Sequence, residues 1–143
     1  MKILGNILSL FIMQEEQQQK TSLILDSNGV HGDKHYNKKI ERSILITSIE
    51  SYTLVKEELN ISMPYGYLGE NLLISGNPYA LQAGTRLYIG DTILEVTQHC
   101  TLCQHLSALD RRIPKLLRSD RGIFAKVIKG GEISINHSVY IKP

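Results

Sequence analysis

Tryptophan is absent from the 143 residues, phenylalanine occurs twice and proline four times. Eleven glycines and seven tyrosines stand against those shortages, a balance that suits many short strands and turns better than a helix bundle. Cysteine also occurs only twice, at Cys100 and Cys103, so there is no secreted-type disulfide framework and a reducing, cytoplasmic setting is expected. No apolar run approaches the roughly 18 residues of a membrane helix, so no membrane partner is expected. The run Ile3 to Met13 imitates a signal peptide, yet Gly5, Asn6 and Ser9 interrupt it and no small-residue cleavage site follows. It reads as a first strand. Charge of one sign is lacking too: sixteen Lys and Arg against fourteen Asp and Glu leave +2, too little to make nucleic acid the main partner. Walker A, G-x-G-x-x-G, H-E-x-x-H and G-x-S-x-G patterns are all missing, which leaves the common nucleotide, zinc-protease and hydrolase chemistries without local support.

What is present is a chain of one-domain length, residues 1–143, whose 42% apolar and 21% charged residues suit a packed core. After the first strand, the polar stretch to Lys20 reads as a loop and Leu23-Ile24-Leu25 as a return strand. A glycine-containing loop from Gly29 to His35 leads to a short buried strand, Arg42 to Ile46. Thr47 with Glu50 forms a capping-box pattern, and Ile49, Tyr52, Val55 and Leu59 give an apolar stripe, so a helix is predicted over about Ser48 to Leu59. Leu72 to Ser75 follows as a strand. Two hairpins are predicted, Thr85–Ile89 with Thr92–Thr97 on Gly90-Asp91, and Gly122–Ile128 with Glu132–Ile135 on Lys129-Gly130-Gly131. Between them Ser107 and Asp110 cap a short helix that Pro114 interrupts. The fold class is therefore mainly β, a closed or partly closed barrel with a few short helical insertions.

The segment from Glu95 to His105 places two thiols and two imidazoles just past a strand. A thiol acts as nucleophile, sulfur carrier or metal ligand in its thiolate form, which nearby positive charge favours. Arg111, Arg112, Lys115, Arg118 and Arg121 supply such charge against only Asp110 and Asp120. Other readings stand beside this one. A single C-x-x-C lacks the second ligand pair of a structural zinc site, a thioredoxin-like role needs a βαβ context, and both thiols equally suit inert, buried positions. Asp33 and His35 offer a carboxylate and an imidazole two apart, read either as part of a metal site or, preferably, as a turn organised by the aspartate. Glu70 and Asn71 enter a strand, where they serve a ligand or a structural turn.

Taken in order, these pieces resemble a MOSC domain, the module named after the C-terminal part of molybdenum-cofactor sulfurase. The resemblance runs from Gly5-Asn6-Ile7-Leu8-Ser9 through Gly32-Asp33-x-His35, Arg42, Gly69-Glu70-Asn71-Leu72, Gly84 to Gly90 and Leu94 to Gln98. It ends with Cys103, Arg121 to Ala125 and Lys129-Gly130-Gly131. It implies a MOSC-type β-barrel and a link to molybdenum-cofactor (molybdopterin) or sulfur chemistry. By resemblance Cys103 is the catalytic residue, holding a persulfide or ligating molybdenum, in a sulfur carrier or in a reductase of N-hydroxylated compounds. Asp33, His35, Glu70 and Asn71 then belong to the cofactor site. Charge logic adds Arg42, Arg111, Arg112 and Arg121 as guanidinium partners of the pterin phosphate. The expected partners are a sulfur donor, a molybdoenzyme or an electron-transfer protein. The alternatives are a non-catalytic accessory protein that delivers cofactor or sulfur, and a C-x-x-C redox or zinc module. Two departures stand out: Asn136-His137 replaces the family's Gly-Asp turn, and Cys100 is an extra thiol that invites disulfide resolution of a persulfide.

Overall fold

The structure, a computed structural model, describes residues 1–101 and 106–142. Eleven strands are seen among them: β1 (Lys2–Met13), β2 (Gln17–Lys20), β3 (Ser22–Asp26), β4 (Gly29–Val30), β5 (Ile44–Ser48), β6 (Leu72–Ile74), β7 (Arg86–Ile89), β8 (Thr92–His99), β9 (Ile123–Lys129), β10 (Gly131–Ser134) and β11 (Ser138–Ile141). Three helices accompany them, α1 (Ile49–Leu59), α2 (Leu106–Leu109) and α3 (Ile113–Leu116). The hydrogen-bonded order β1-β11-β7-β8-β9-β5-β6 returns to β1 and closes a seven-stranded barrel. The long β1 makes closure possible, pairing with β11 near its start, with β6 in its middle and with β2 at its end. A smaller sheet, β10-β3-β4, lies beside the barrel. Among the described residues no helix is long and apolar enough to cross a membrane.

Strand β5 is buried at every position, and side-chain alternation explains why. Ile44 and Ile46 pack with the barrel-core residues Ile7, Leu72 and Ile74. Leu45 faces the other way, with Leu73, into a second cluster that includes Val55 of α1, Ile113 of α3 and Leu117. Strands β5 and β6 thus separate two cores. They form a parallel pair, and a parallel pair needs a crossover, which α1 supplies.

Several sequence expectations change. The Gln-rich stretch read as loop forms β2, since pairing with β1 satisfies its backbone while its residues stay largely exposed, with Gln17 Nε2 donating to the Gly66 carbonyl at 2.7 Å. The buried strand starts at Ile44, because Ile40–Arg42 winds into a 3-10 turn. Ser48, not Thr47, caps α1, its hydroxyl accepting from the Glu50 amide. Pro114 lies in the first turn of α3, where its missing N–H costs nothing, and so starts a helix instead of breaking one. The second hairpin does not form: β9 pairs with β5 and β8, whereas β10 leaves the barrel to pair with β3. Gly130 permits that departure, for a Cβ there would stand 2.4 Å from the Leu25 carbonyl oxygen. Strand β11 was not anticipated.

Candidate functional site

Between β4 and β5 the chain forms a polar loop held from both ends. Near its start Asp26 accepts hydrogen bonds from Tyr36 at 2.5 Å and from the Asn28 amide at 2.8 Å, with His31 Nε2 at 2.6 Å. These bonds hold the Asp26 carboxyl below its ordinary value. In the middle, Asp33 turns inward with its side chain only 2% exposed. Its carboxylate accepts from the amides of Met13 (2.8 Å) and His35 (2.9 Å), and from Asn71 Nδ2 (3.3 Å), while His35 Nδ1 lies 2.9 Å away. Asp33 therefore organises the turn, as its spacing from His35 suggested.

Asn71 is equally committed. Its side-chain oxygen accepts from the Leu45 amide at 3.0 Å, and its nitrogen donates to the Phe11 carbonyl at 3.2 Å as well as to Asp33. One amide thus joins β1, β5 and the polar loop. Glu70 is 1% exposed and points elsewhere, its Oε2 accepting from Thr47 at 2.8 Å and Tyr52 at 2.5 Å. The Tyr52 oxygen in turn accepts from the amides of Gly66 and Leu68. Burial pushes the Glu70 carboxyl above its ordinary range, and Oε1 has no hydrogen-bond partner among the described residues. Burial and the neighbouring carboxyl push the Tyr52 phenol up as well. This pair anchors the stretch 66–71.

The polar loop and that stretch enclose a cavity of about 360 Å³. Its polar wall comprises His35, Lys38, Lys39, Arg42, Ser43 and Asn71, and its apolar wall Leu45, Leu68, Cys100 and Phe124. Arg42 stands over the Phe124 ring, 5.4 Å from its centroid. With the Gln98 amide turned so that its oxygen faces the guanidinium, that oxygen accepts from Nε at 2.8 Å and from a terminal nitrogen at 3.1 Å. Gly69, with φ +85°, meets the cavity with open space where a Cβ would stand. Among the described lining residues there is no carboxylate, and three cationic side chains, Lys38, Lys39 and Arg42, are present.

The cavity thus brings together Arg42, His35 and Asn71, with Asp33 one bond behind. It does not include Glu70, Arg111, Arg112 or Arg121. Arg112 is bound to Asp110 at 2.7 and 3.0 Å, which holds that carboxyl at about 2. Arg121 donates to the carbonyls of Thr101 and Pro114, and Arg111 is exposed. A more open depression, lined in part by His99, Thr101, Arg118 and Asp120, adjoins the same segment. Cys103 lies outside the described residues, whereas Cys100, three positions earlier, is buried in the cavity wall. Sequence reasoning missed Lys38, Lys39 and Gln98. The Lys-Lys pair between His35 and Arg42 was the available signal.

A family model described as the MOSC domain matches residues 28–140. Among solved structures, the YuaD protein from Bacillus subtilis superposes with a TM-score of 0.82 at 19% identity, covering 94% of this chain and 93% of that one. YiiM from Escherichia coli gives 0.71 at 18% identity, over 100% of this chain and 70% of the other. YiiM from Geobacillus stearothermophilus gives 0.69 at 14%, over 99% and 75%. These likenesses establish the fold. No curated protein matches the sequence.

Proposed function

The chain belongs to the MOSC domain family, and we propose that it binds the molybdenum cofactor in the cavity beside Arg42, with Cys103 as the reactive thiol. The supporting observation is the charge of the cavity: Lys38, Lys39 and Arg42 face it, and the nearby carboxylates Asp33 and Glu70 are already engaged by neighbours. A phosphate-bearing anion fits that donor set. Arg42, oriented by Gln98 and Phe124, presents a planar fork suited to phosphate oxygens, and the lysines add point charges. The apolar wall formed by Leu45, Leu68 and Phe124 suits a flat ring system. A thiolate is both a soft metal ligand and an acceptor of sulfane sulfur, so Cys103 serves either branch of the chemistry. When bound, the cofactor supplies two-electron chemistry, which in the reductive branch takes electrons from a flavin or haem partner and acts on an N-hydroxylated compound.

Protein purified from cofactor-competent cells is expected to carry pterin and molybdenum, and Cys103→Ala to lose them. Intact-mass spectrometry of the same samples separates the branches, because a sulfur carrier shows the mass of one added sulfur on Cys103. Equal, negligible loading of wild type and variant would overturn both. A delivery protein would carry the cofactor yet turn over no hydroxylamine with a reduced electron donor.

A further inference from the structure

Two carboxylate–imidazole pairs hold the polar loop, one reaching back to Asp26 at the end of β3, and they differ in what they leave free. In the first, His31 Nε2 meets Asp26 directly, and His31 is not part of the cavity wall. In the second, the Asp33 carboxylate is sealed and engaged by three further donors, so it neither moves nor reaches a ligand. Its bond to His35 Nδ1 places the hydrogen on that nitrogen and fixes the tautomer. Nε2 is then the exchanging atom. It has no hydrogen bond within the described residues, on a side chain that lines the cavity and is 59% exposed. A fixed ring with one nitrogen held and the other open to both solvent and ligand space is the arrangement of a general acid–base group.

We propose that Asp33 and His35 form a proton relay at the mouth of the cavity, with His35 Nε2 passing protons between solvent and the bound ligand. Among the described residues the other titratable or charged groups lining the cavity are Lys38, Lys39, Arg42 and Cys100, with Asp33 behind the ring and Glu70 tied to Thr47 and Tyr52. Lysine and arginine ordinarily keep their protons near neutral pH, whereas imidazole exchanges its proton there. This inference rests on the cofactor-site reading above and separates its two branches. Sulfur transfer between thiolates is proton-neutral: the incoming thiolate bonds to the outer sulfur of a persulfide, and the donor leaves as thiolate. Reduction of an N-hydroxyl group is not, because an N-hydroxylated amine takes up two electrons and two protons to give the parent amine and one water. The electrons come from the flavin or haem donor. His35 Nε2–H gives one proton to the departing hydroxyl oxygen as the N–O bond breaks, solvent supplies the second to the amine nitrogen, and solvent recharges the ring. The relay therefore assigns this cavity to the proton-consuming branch.

The test combines nitrogen-15 NMR of the histidine rings in the full chain with kinetics of loaded protein. Inorganic phosphate serves as the anion probe, and hydroxylamine with reduced viologen as the substrate pair. The Nδ1 resonance of His35 should be that of a hydrogen-bonded N–H, and phosphate should move the Nε2 resonance. His35→Gln should lower kcat about 100-fold at neutral pH and flatten the pH profile. Phosphate bound to wild type with an unmoved Nε2 resonance, a ring hydrogen found on Nε2 with Nδ1 bare, or an unchanged kcat in His35→Gln would each overturn the relay alone. Wild type that binds neither phosphate nor molybdenum would overturn the cofactor-site reading beneath it.

Discussion

The Glu70 carboxyl is a residue whose burial has a thermodynamic consequence. Its folded-state value lies above the ordinary 4.5. Below that ordinary value both folded and unfolded chains hold the proton. As pH rises from there through the folded value, the unfolded chain releases its proton more readily, so this group's contribution to stability is lost with increasing pH. Glu70→Gln should remove that slope, and urea unfolding at pH 5 and pH 8 would show the difference between variant and wild type changing between the two. Arg42 is expected to matter through shape as well as charge. Arg42→Ala should weaken phosphate binding about tenfold by calorimetry, and Arg42→Lys should recover only part of it because lysine lacks the fork held by Gln98. Arg111→Ala, a change at an exposed residue off the cavity, should leave that affinity unchanged. At this scale the sequence was legible where a motif carried geometry. Asp33 and His35, two apart, announced a turn with an imidazole on it. The importance of Lys38 and Lys39 was hidden, because two lysines in a loop look like any solvated surface until the fold bends them toward Arg42. The cluster from Arg111 to Arg121 misled for the opposite reason, since one-dimensional charge density does not reveal that Arg112 is bound to Asp110 and Arg121 to two carbonyls.

Among the elements, glycines separate steric need from conformational need. Gly69 occupies the left-handed region with empty space beside it, so Gly69→Ala should cost about 1 kcal/mol, mostly backbone strain. Gly76 faces the β1 bulge, where a Cβ would lie 1.8 Å from the Leu4 carbonyl oxygen. Gly76→Ala should therefore cost about 3 kcal/mol, and thermal denaturation of the two variants would rank them. The helix α1 and the hairpin of β7 and β8 were readable because each is specified by neighbours in sequence, an apolar stripe in one and a two-residue turn in the other. Strand β10 was readable as a strand but not in its partner. Turn chemistry at Lys129-Gly130-Gly131 suits a hairpin, and only the nearby Leu25 backbone shows that the glycines serve a close crossing. Strand β2 carried no hydrophobic signal at all, since it is held by backbone pairing with β1 and by a polar bond from Gln17 Nε2 to the Gly66 carbonyl.

For the whole molecule, β5 and β6 divide a barrel core from an outer cluster built on α1, α3 and the segments around them. The barrel core is enclosed by a ring of paired strands, whereas the outer cluster rests on one helix of eleven residues and two of four. Amide hydrogen exchange should accordingly be faster in α1, α2 and α3 than in β5, β8 and β9. The barrel class was legible from many short strands with regular turns, but ring closure was not, because it depends on Lys2 meeting Ile141 across the full length of the chain.

The cavity borders the outer cluster, with Leu45, Leu68, Cys100 and Phe124 all belonging to it or packing on it. A tightly held occupant would act there as a rivet. The loosest part of the molecule would become hardest to pry open once loaded, so heating or protease digestion would report occupancy without any turnover being measured.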